Sequence, residues 1–303
     1  MTMRLFAHQR LHLGRGNGRF GARVLCVCFA IAVGAEVAVA QAKPVFPPIV
    51  NADSLLGSDV ASDWQQLHSA HFSLYMQSGI SFPLSSKALL DSLEEAWTHD
   101  TALLDVPSLN APPVIVLVTH SWRRFPTMLA PGSGGLMRRD TKGGSLIILV
   151  HNDSLRAFTR HEVMHVVSYA AWGPTGAPWV DEGLATFADG RCQATTVLAV
   201  ARDLLRAEPG FSATDLDARY RMSAGPVLGR RHRAYVLAAS MVSFVYARGG
   251  ASAVRILRRD GIPLGVTSVP AESLTAAWRN YVERSAAGEQ GLSSEALDAR
   301  GCN

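Results

Sequence analysis

Thr159-Arg160-His161-Glu162-Val163-Met164-His165-Val166-Val167 reads H-E-x-x-H. On an α-helix, residues four apart lie on one face, one turn above the other. His161 and His165 can then present two imidazole nitrogens to one metal ion, with Glu162 on the edge of the same face. Zinc binds such imidazoles, and in catalytic sites it takes three protein ligands and a water. A carboxylate beside that water can accept its proton. The third ligand is expected downstream, in Trp179-Val180-Asp181-Glu182-Gly183-Leu184-Ala185. The intervening chain has room to finish one helix, turn at Gly173-Pro174 and bring a second helix back. Glu182 is the preferred ligand and Asp181 its rival, because Asp181 is better placed to cap the start of the second helix. The plain alternative is a helix with two ordinary histidines and a salt-bridging glutamate. The downstream Trp-Val-Asp-Glu-Gly-Leu-Ala argues against it.

Outward from this stretch, Leu155, Phe158, Val163, Met164, Val166, Val167 and Tyr169 make a helix from about Ser154 to Ala171 apolar on more than one side, which places it centrally. The second helix is expected from about Asp181 to Ala188, ending at Gly190. Asp189 then lies on nearly the same face as Glu182, either bonded to a ligand histidine or as a solvated helix-end carboxylate. Before the motif, Leu146 to Val150 reads as a strand running into the metal helix. At a sheet edge its backbone could pair with an extended peptide. Trp122 to Met137 reads as a loop or flap, and its glycines lack the Gly-Lys-Ser/Thr ending of a phosphate loop, which excludes nucleotide binding. Further upstream, His71 to Met76 alternates as a half-buried strand, Lys87 to Leu104 is an amphipathic helix, and Val114 to Val118 is a buried strand. His71, His99 and His120 read as structural. Downstream, helices are expected over 195–207, 235–247, 251–259 and 273–285, with Gly249-Gly250 ending one of them and a loose tail after Ala286, except for any tether through Cys302. Strands first and helices later argue α+β. The domain reading is a signal over 1–40, a Pro-rich linker over 41–63, one domain over 64–285 and a tail over 286–303.

The amino terminus carries Arg4, Arg10, Arg15, Arg19 and Arg23, then the apolar run Val24 to Ala35, then Ala38-Val39-Ala40. This is the pattern of a secretory signal cleaved before Gln41, with an uncleaved anchor as the alternative. The run is short for a membrane span, and none is expected after cleavage. Cleavage removes five Arg and one Glu from 29 Lys+Arg and 25 Asp+Glu, leaving 24 of each. No basic footprint remains to suggest nucleic acid. Cys192 and Cys302 stay behind as an even pair in an exported protein, either joined as a disulfide or as two independent thiols. The roughly 260 remaining residues are enough for a substantial core.

His161-Glu162-x-x-His165 with Pro178-Trp179-Val180-Asp181-Glu182-Gly183-Leu184-Ala185 resembles the gluzincin metallopeptidases, in particular the bacterial peptidase MA-like proteins. The likeness in element order extends over roughly Trp64 to Arg259. It implies a zincin fold, with a mixed sheet whose edge strand lies over the metal helix and a mainly helical lobe after it. It also implies one zinc per chain and hydrolysis of a peptide or protein substrate; the signal pattern places the protein outside the cytoplasm, in a periplasm or beyond the cell. By position, His161, His165 and Glu182 match the zinc ligands and Glu162 the general base. Many members carry Asn before the ligand Glu, where this chain has Asp181. Some carry an Asp four residues after it, where this chain has Thr186. Such enzymes also use a Tyr or His on a later helix as oxyanion donor. Tyr235 is the preferred residue, with His232 and Tyr246 as rivals. A non-catalytic envelope module that keeps the fold and a hydrolase of peptidoglycan cross-links are the other functions considered.

Overall fold

A computed structural model describes residues 45–57, 60–129, 133–155, 159–223, 228–261 and 271–302. The expected signal segment lies outside them. Among the described residues, no helix is long and apolar enough to cross a membrane.

Six strands form one mixed sheet: β1 (Ile49–Val50), β2 (Trp64–His68), β3 (Phe72–Gln77), β4 (Val114–Thr119), β5 (Gly135–Asp140) and β6 (Ser145–Val150), in the order β1-β5-β6-β4-β3-β2. β3, β4 and β6 run parallel, while β2 and β5 are antiparallel to their neighbours β3 and β6. The apolar run of β4 is buried on both faces because each face has its own cover. Val114, Val116, Val118, Ile147 and Leu149 meet α3 (Ser86–Leu103) and α4 (Thr159–Trp172). Leu117, Leu146, Ile148 and Val150 meet Ala52 and Leu56 of α1 (Ala52–Leu56), with Phe125 and Leu129.

Two expectations about the sheet need correction. The strand at Leu146–Val150 exists, but it lies inside the sheet between β5 and β4. The strand beside α4 is β5, whose first half, 135–137, falls within the expected flap. Its Gly134-Gly135 start and its Arg138-Arg139 pair hide any alternation, and it forms because its backbone pairs with β6, as in Leu136↔Ile148. β1 covers β5 only at Ile49↔Arg139 and Val50↔Asp140. The outer edge over 135–138 therefore has no strand beside it among the described residues.

Ser154 and Leu155 lie outside the helix expected to begin near Ser154, and its described part, α4, runs from Thr159. The Asn152 side chain accepts from the N–H groups of Ser154 and Leu155, both at 2.8 Å, and makes a local turn. Residues 45–63, read as a linker, carry β1, α1 and α2 (Val60–Asp63), and Ala52 and Leu56 are buried.

The second half is helical: α5 (Pro178–Asp189), the short β7 (Arg191–Cys192) and β8 (Thr195–Thr196), α6 (Val197–Ala207), α7 (Leu216–Met222), α8 (Leu228–Asp260), α9 (Ala271–Ser285) and α10 (Ser294–Arg300). α8 is broken at Gly249 and Gly250, the latter at φ 61°, as the Gly-Gly pair suggests. The segment after Ala286 is not loose. Ala286 and Leu297 are buried, Arg202 donates to the Ala286 and Glu289 carbonyls at 2.7 and 2.9 Å, and Cys192 is joined to Cys302.

α5 and α8 touch at their backbones. A Cβ at Gly183 would lie 2.8 Å from both the carbonyl carbon and the Cβ of Ala238. In an open helix, Gly→Ala gains about 1 kcal/mol of propensity. Here the added methyl has to push two helices apart, so Gly183→Ala is expected to destabilise the protein by about 1–3 kcal/mol. Denaturant unfolding measures this, and a stabilised variant would contradict the close helix contact.

Candidate metal centre

Helix α4 places His161 and His165 one turn apart, and α5 returns Glu182 to the same point. The His161 Nε2 lies 3.3 Å from the His165 Nε2 and 3.3 Å from Glu182 Oε2, and the His165 Nε2 lies 3.7 Å from that oxygen. Among the described residues these three form a group whose ligand atoms all lie within 4.8 Å of one another. A tetrahedral ion bonded at about 2.0–2.1 Å spaces its ligands by about 3.3–3.4 Å. The triangle therefore has the size that zinc requires, and its donor set of two imidazoles and a carboxylate fits that ion.

The electrostatics agree with a cation-seeking site. Burial pushes the Glu182 carboxyl up, but hydrogen bonds and charge from His161 and His165 outweigh it and hold it well below the usual carboxylate range. Burial disfavours charge on His165, yet contacts with Asp181 and Glu182 carry its pKa well above the usual value. A metal ion would compete for the same nitrogens as those protons.

Asp181 does not cap α5. That helix begins at Pro178 with Ala177 as its N-cap, and Asp181 sits within its first turn. Its Oδ2 lies 3.3 Å from the His165 Nδ1, and its Oδ1 accepts from the Arg258 Nε at 2.7 Å. Burial raises the Asp181 pKa, but the Arg258 charge and the His165 contact more than reverse it. Arg258 is 3 % exposed and also donates to the Gly173 carbonyl at 2.8 Å. A carboxylate that accepts a hydrogen bond from the Nδ1–H holds the proton on that nitrogen and leaves the Nε2 lone pair free for an ion. Arg258 fixes the carboxylate, the carboxylate fixes the imidazole, and the sequence offered no sign of Arg258 because it comes from the far half of α8.

Glu162 is 5 % exposed and lies beneath β5. A Cβ at Gly135 would come within 2.8 Å of the Glu162 Oε1, so the glycine makes room for the carboxylate. Burial raises the Glu162 pKa, opposed by the neighbouring histidines. Arg138 of β5, absent from the sequence reading, is half-buried at the same cleft, donates to the Met137 carbonyl at 2.9 Å and acts electrostatically on Glu162 and Glu182.

The remaining candidates divide. Tyr235 of α8 stacks on His161 with ring centroids 6.2 Å apart, and Tyr220 stacks on Tyr235 at 6.2 Å. Burial and then the Glu182 charge keep the Tyr235 phenol neutral, well above its usual pKa. His232, one turn earlier, lines the same cleft of about 450 Å³. Tyr246 instead packs against Phe187 at 5.5 Å, in the core. Asp189 lines the cleft and interacts electrostatically with His161. His71 pairs with Glu94 at 2.7 Å and stacks on Trp97, and His99 bonds Asp100 at 2.8 Å.

No protein-family model and no curated protein matches the chain. Among solved structures, a two-domain M1 zinc metallopeptidase, a mutant bound to L-tryptophan, is similar with a TM-score of 0.26 and 13% identity, over 78% of this chain and 50% of that one. The chain thus spans about half the length of that protein, and a likeness of this degree carries no argument about function.

If Asp181 orients His165, Asp181→Asn is expected to weaken zinc binding roughly 10–100-fold while the fold persists. Competition with a chromogenic chelator measures the affinity, and an unchanged constant would contradict the role given to Asp181.

Proposed function

We propose that this chain is a zinc-dependent peptidase of the gluzincin type, with His161, His165 and Glu182 as ligands and Glu162 as general base. The observation that carries this reading is the triangle of donor atoms with sides of 3.3, 3.3 and 3.7 Å, beside a separate buried carboxylate. A pure binding site needs the three donors and has no use for the fourth group.

When bound, zinc supplies Lewis-acid polarisation of a carbonyl and lowers the pKa of a water to about 7. The protein's own groups do the rest. Glu162 accepts a proton from the attacking water and returns it to the leaving amine. Its burial raises its basicity toward that of the groups it exchanges protons with, which suits both transfers. The edge of β5 over 135–138, with no strand beside it among the described residues, would offer backbone N–H and C=O groups to an extended peptide running past Glu162. The neutral Tyr235 hydroxyl is a hydrogen-bond donor for negative charge that develops on the substrate oxygen.

Supporting a zincin-like architecture are the mixed sheet, the strand edge beside the histidine helix and the third ligand on the next helix. The Cys192–Cys302 disulfide supports export, since such bonds persist in oxidising compartments. The balance of 24 basic and 24 acidic residues after Ala40 supports a peptide or protein substrate over a nucleic acid. The same chemistry would serve a peptidoglycan cross-link, so a substrate screen should include cell-wall fragments.

Glu162→Gln keeps the side-chain shape and removes the base. It is expected to bind zinc as the wild type does and to lose about 10²–10⁴-fold in kcat/KM. Turnover retained in this variant would sink the mechanism. A zinc-loaded wild type that cleaves neither peptides nor cell-wall fragments would favour the non-catalytic binding module.

A further inference from the structure

The carboxyl-terminal tail ends against the wall of the metal cleft. The Cys302 backbone N–H donates to the His232 Nδ1 at 2.8 Å. A backbone amide can only donate, so that ring nitrogen must be the acceptor. A neutral imidazole that accepts at Nδ1 carries its proton on Nε2. The contact is tight. Gly301 sits at φ 63°, and a Cβ there would fall 1.7 Å from the His232 Nδ1. Only a glycine lets the chain close on the ring at this point.

The tail is fixed from the other side by the segment that follows α5. Cys302 is bonded to Cys192, its carbonyl accepts from the Gln193 N–H at 3.1 Å, and the Gln193 side chain donates to the Gly301 carbonyl at 2.7 Å. Gln193 holds a left-handed backbone, φ 54°, to do so. The tail is thus tied to the element that directly continues the Glu182 helix. Asp298 of α10 adds an ion pair to Arg233, the residue after His232, at 2.7 Å.

The His232 imidazole lines the cleft together with His161, Glu162, His165 and Glu182. Its ring centroid lies 6.3 Å from Tyr235, which stacks on His161. Burial, with the nearby His161 and Arg231, lowers its pKa to about 4, against an opposing pull from Glu182. The ring is neutral at pH 7, and no described protein group accepts from its Nε2–H.

We propose that the disulfide-anchored tail is a positioning element: Cys302 and Gly301 lock His232 as a single Nε2–H tautomer, a fixed neutral donor for an anionic substrate oxygen at the metal cleft. The catalytic part of this inference rests on the peptidase reading. The tautomer lock does not. It makes the Cys192–Cys302 bond a requirement for full activity through His232, which Cys302 reaches with its backbone N–H.

Imidazole ¹⁵N NMR on the zinc-loaded, oxidised protein reads the tautomer directly, with His232→Ala to assign the signal. The wild type is expected to show one His232 tautomer, Nε2–H. The tail-released Cys192→Ser/Cys302→Ser variant is expected to show a mixture. It should bind zinc normally and lose about tenfold in kcat with little change in KM, less than the roughly 10²–10³-fold for deleting an oxyanion donor outright. If the double variant does not fold, Gly301→Ala keeps the disulfide and pushes the tail off the ring, and the same changes are expected. A His232 signal protonated at Nδ1 in the oxidised wild type would overturn the inference, as would full kcat with a mixed tautomer in the released variant. A wild type with the expected tautomer and no hydrolysis supports the lock and counts against the peptidase reading alone.

Discussion

Three lone pairs aimed at one point organise this molecule. The His161 Nε2, the His165 Nε2 and Glu182 Oε2 approach one another to between 3.3 and 3.7 Å. All three are acceptors when the imidazoles are neutral and carry their protons on Nδ1, and acceptors crowded together in a poorly solvated pocket repel unless something positive lies between them. A proton can relieve one pair at a time. A divalent ion relieves all three at once, and the tetrahedral spacing is that of zinc.

Most of the surrounding fold can be understood as what it takes to hold that point. The metal helix is central, with Val163, Met164, Val166 and Val167 buried around it, so the histidines cannot swing away as a surface pair could. Glu182 depends on α5 pressing against α8, where Gly183 allows contact with Ala238 at backbone distance. α8 then returns Arg258 to Asp181, and Asp181 reaches the His165 Nδ1. From above, β5 crosses Glu162 at Gly135. Each of these supports is a close approach that one extra methyl or one lost charge would disturb. That is how rigid elements keep reacting groups within the narrow tolerances of a chemical site.

What could be read from the chain alone was the part set by local spacing. H-E-x-x-H fixes two nitrogens on one helical face, and a second helical motif after a Gly-Pro turn fixes the third donor. The apolar runs of β4 and β6 and the Gly249-Gly250 break are equally local. What was misread depends on partners far away in sequence. Asp181 has the residue type and position of a helix cap, and only Arg258, 77 residues on, makes it a support for His165. β5 has no alternation of its own and becomes a strand by pairing with β6. That pairing puts Leu146–Val150 inside the sheet and, among the described residues, leaves 135–138 as the edge with no strand beside it. The tail reads as loose because Ala286, Leu297 and Cys302 are spaced without periodicity; Leu297 is buried in the main core, and Arg202 and Cys192 hold the tail through hydrogen bonds and the disulfide. The position of Tyr235 at the start of an apolar helix favours it over Tyr246 in the sequence, without placing either in the fold. Their different surroundings, cleft and core, follow from which face of α8 each occupies.

The most direct test of this account is the metal content of purified Gln41–Asn303, measured beside His161→Ala and Glu182→Ala. Folded wild type is expected to hold about one zinc per chain, and both variants are expected to lose it or bind it much more weakly. Folded wild type that takes up no zinc even when zinc is supplied would contradict the central claim, and the convergence of the three side chains would then be a feature of packing alone.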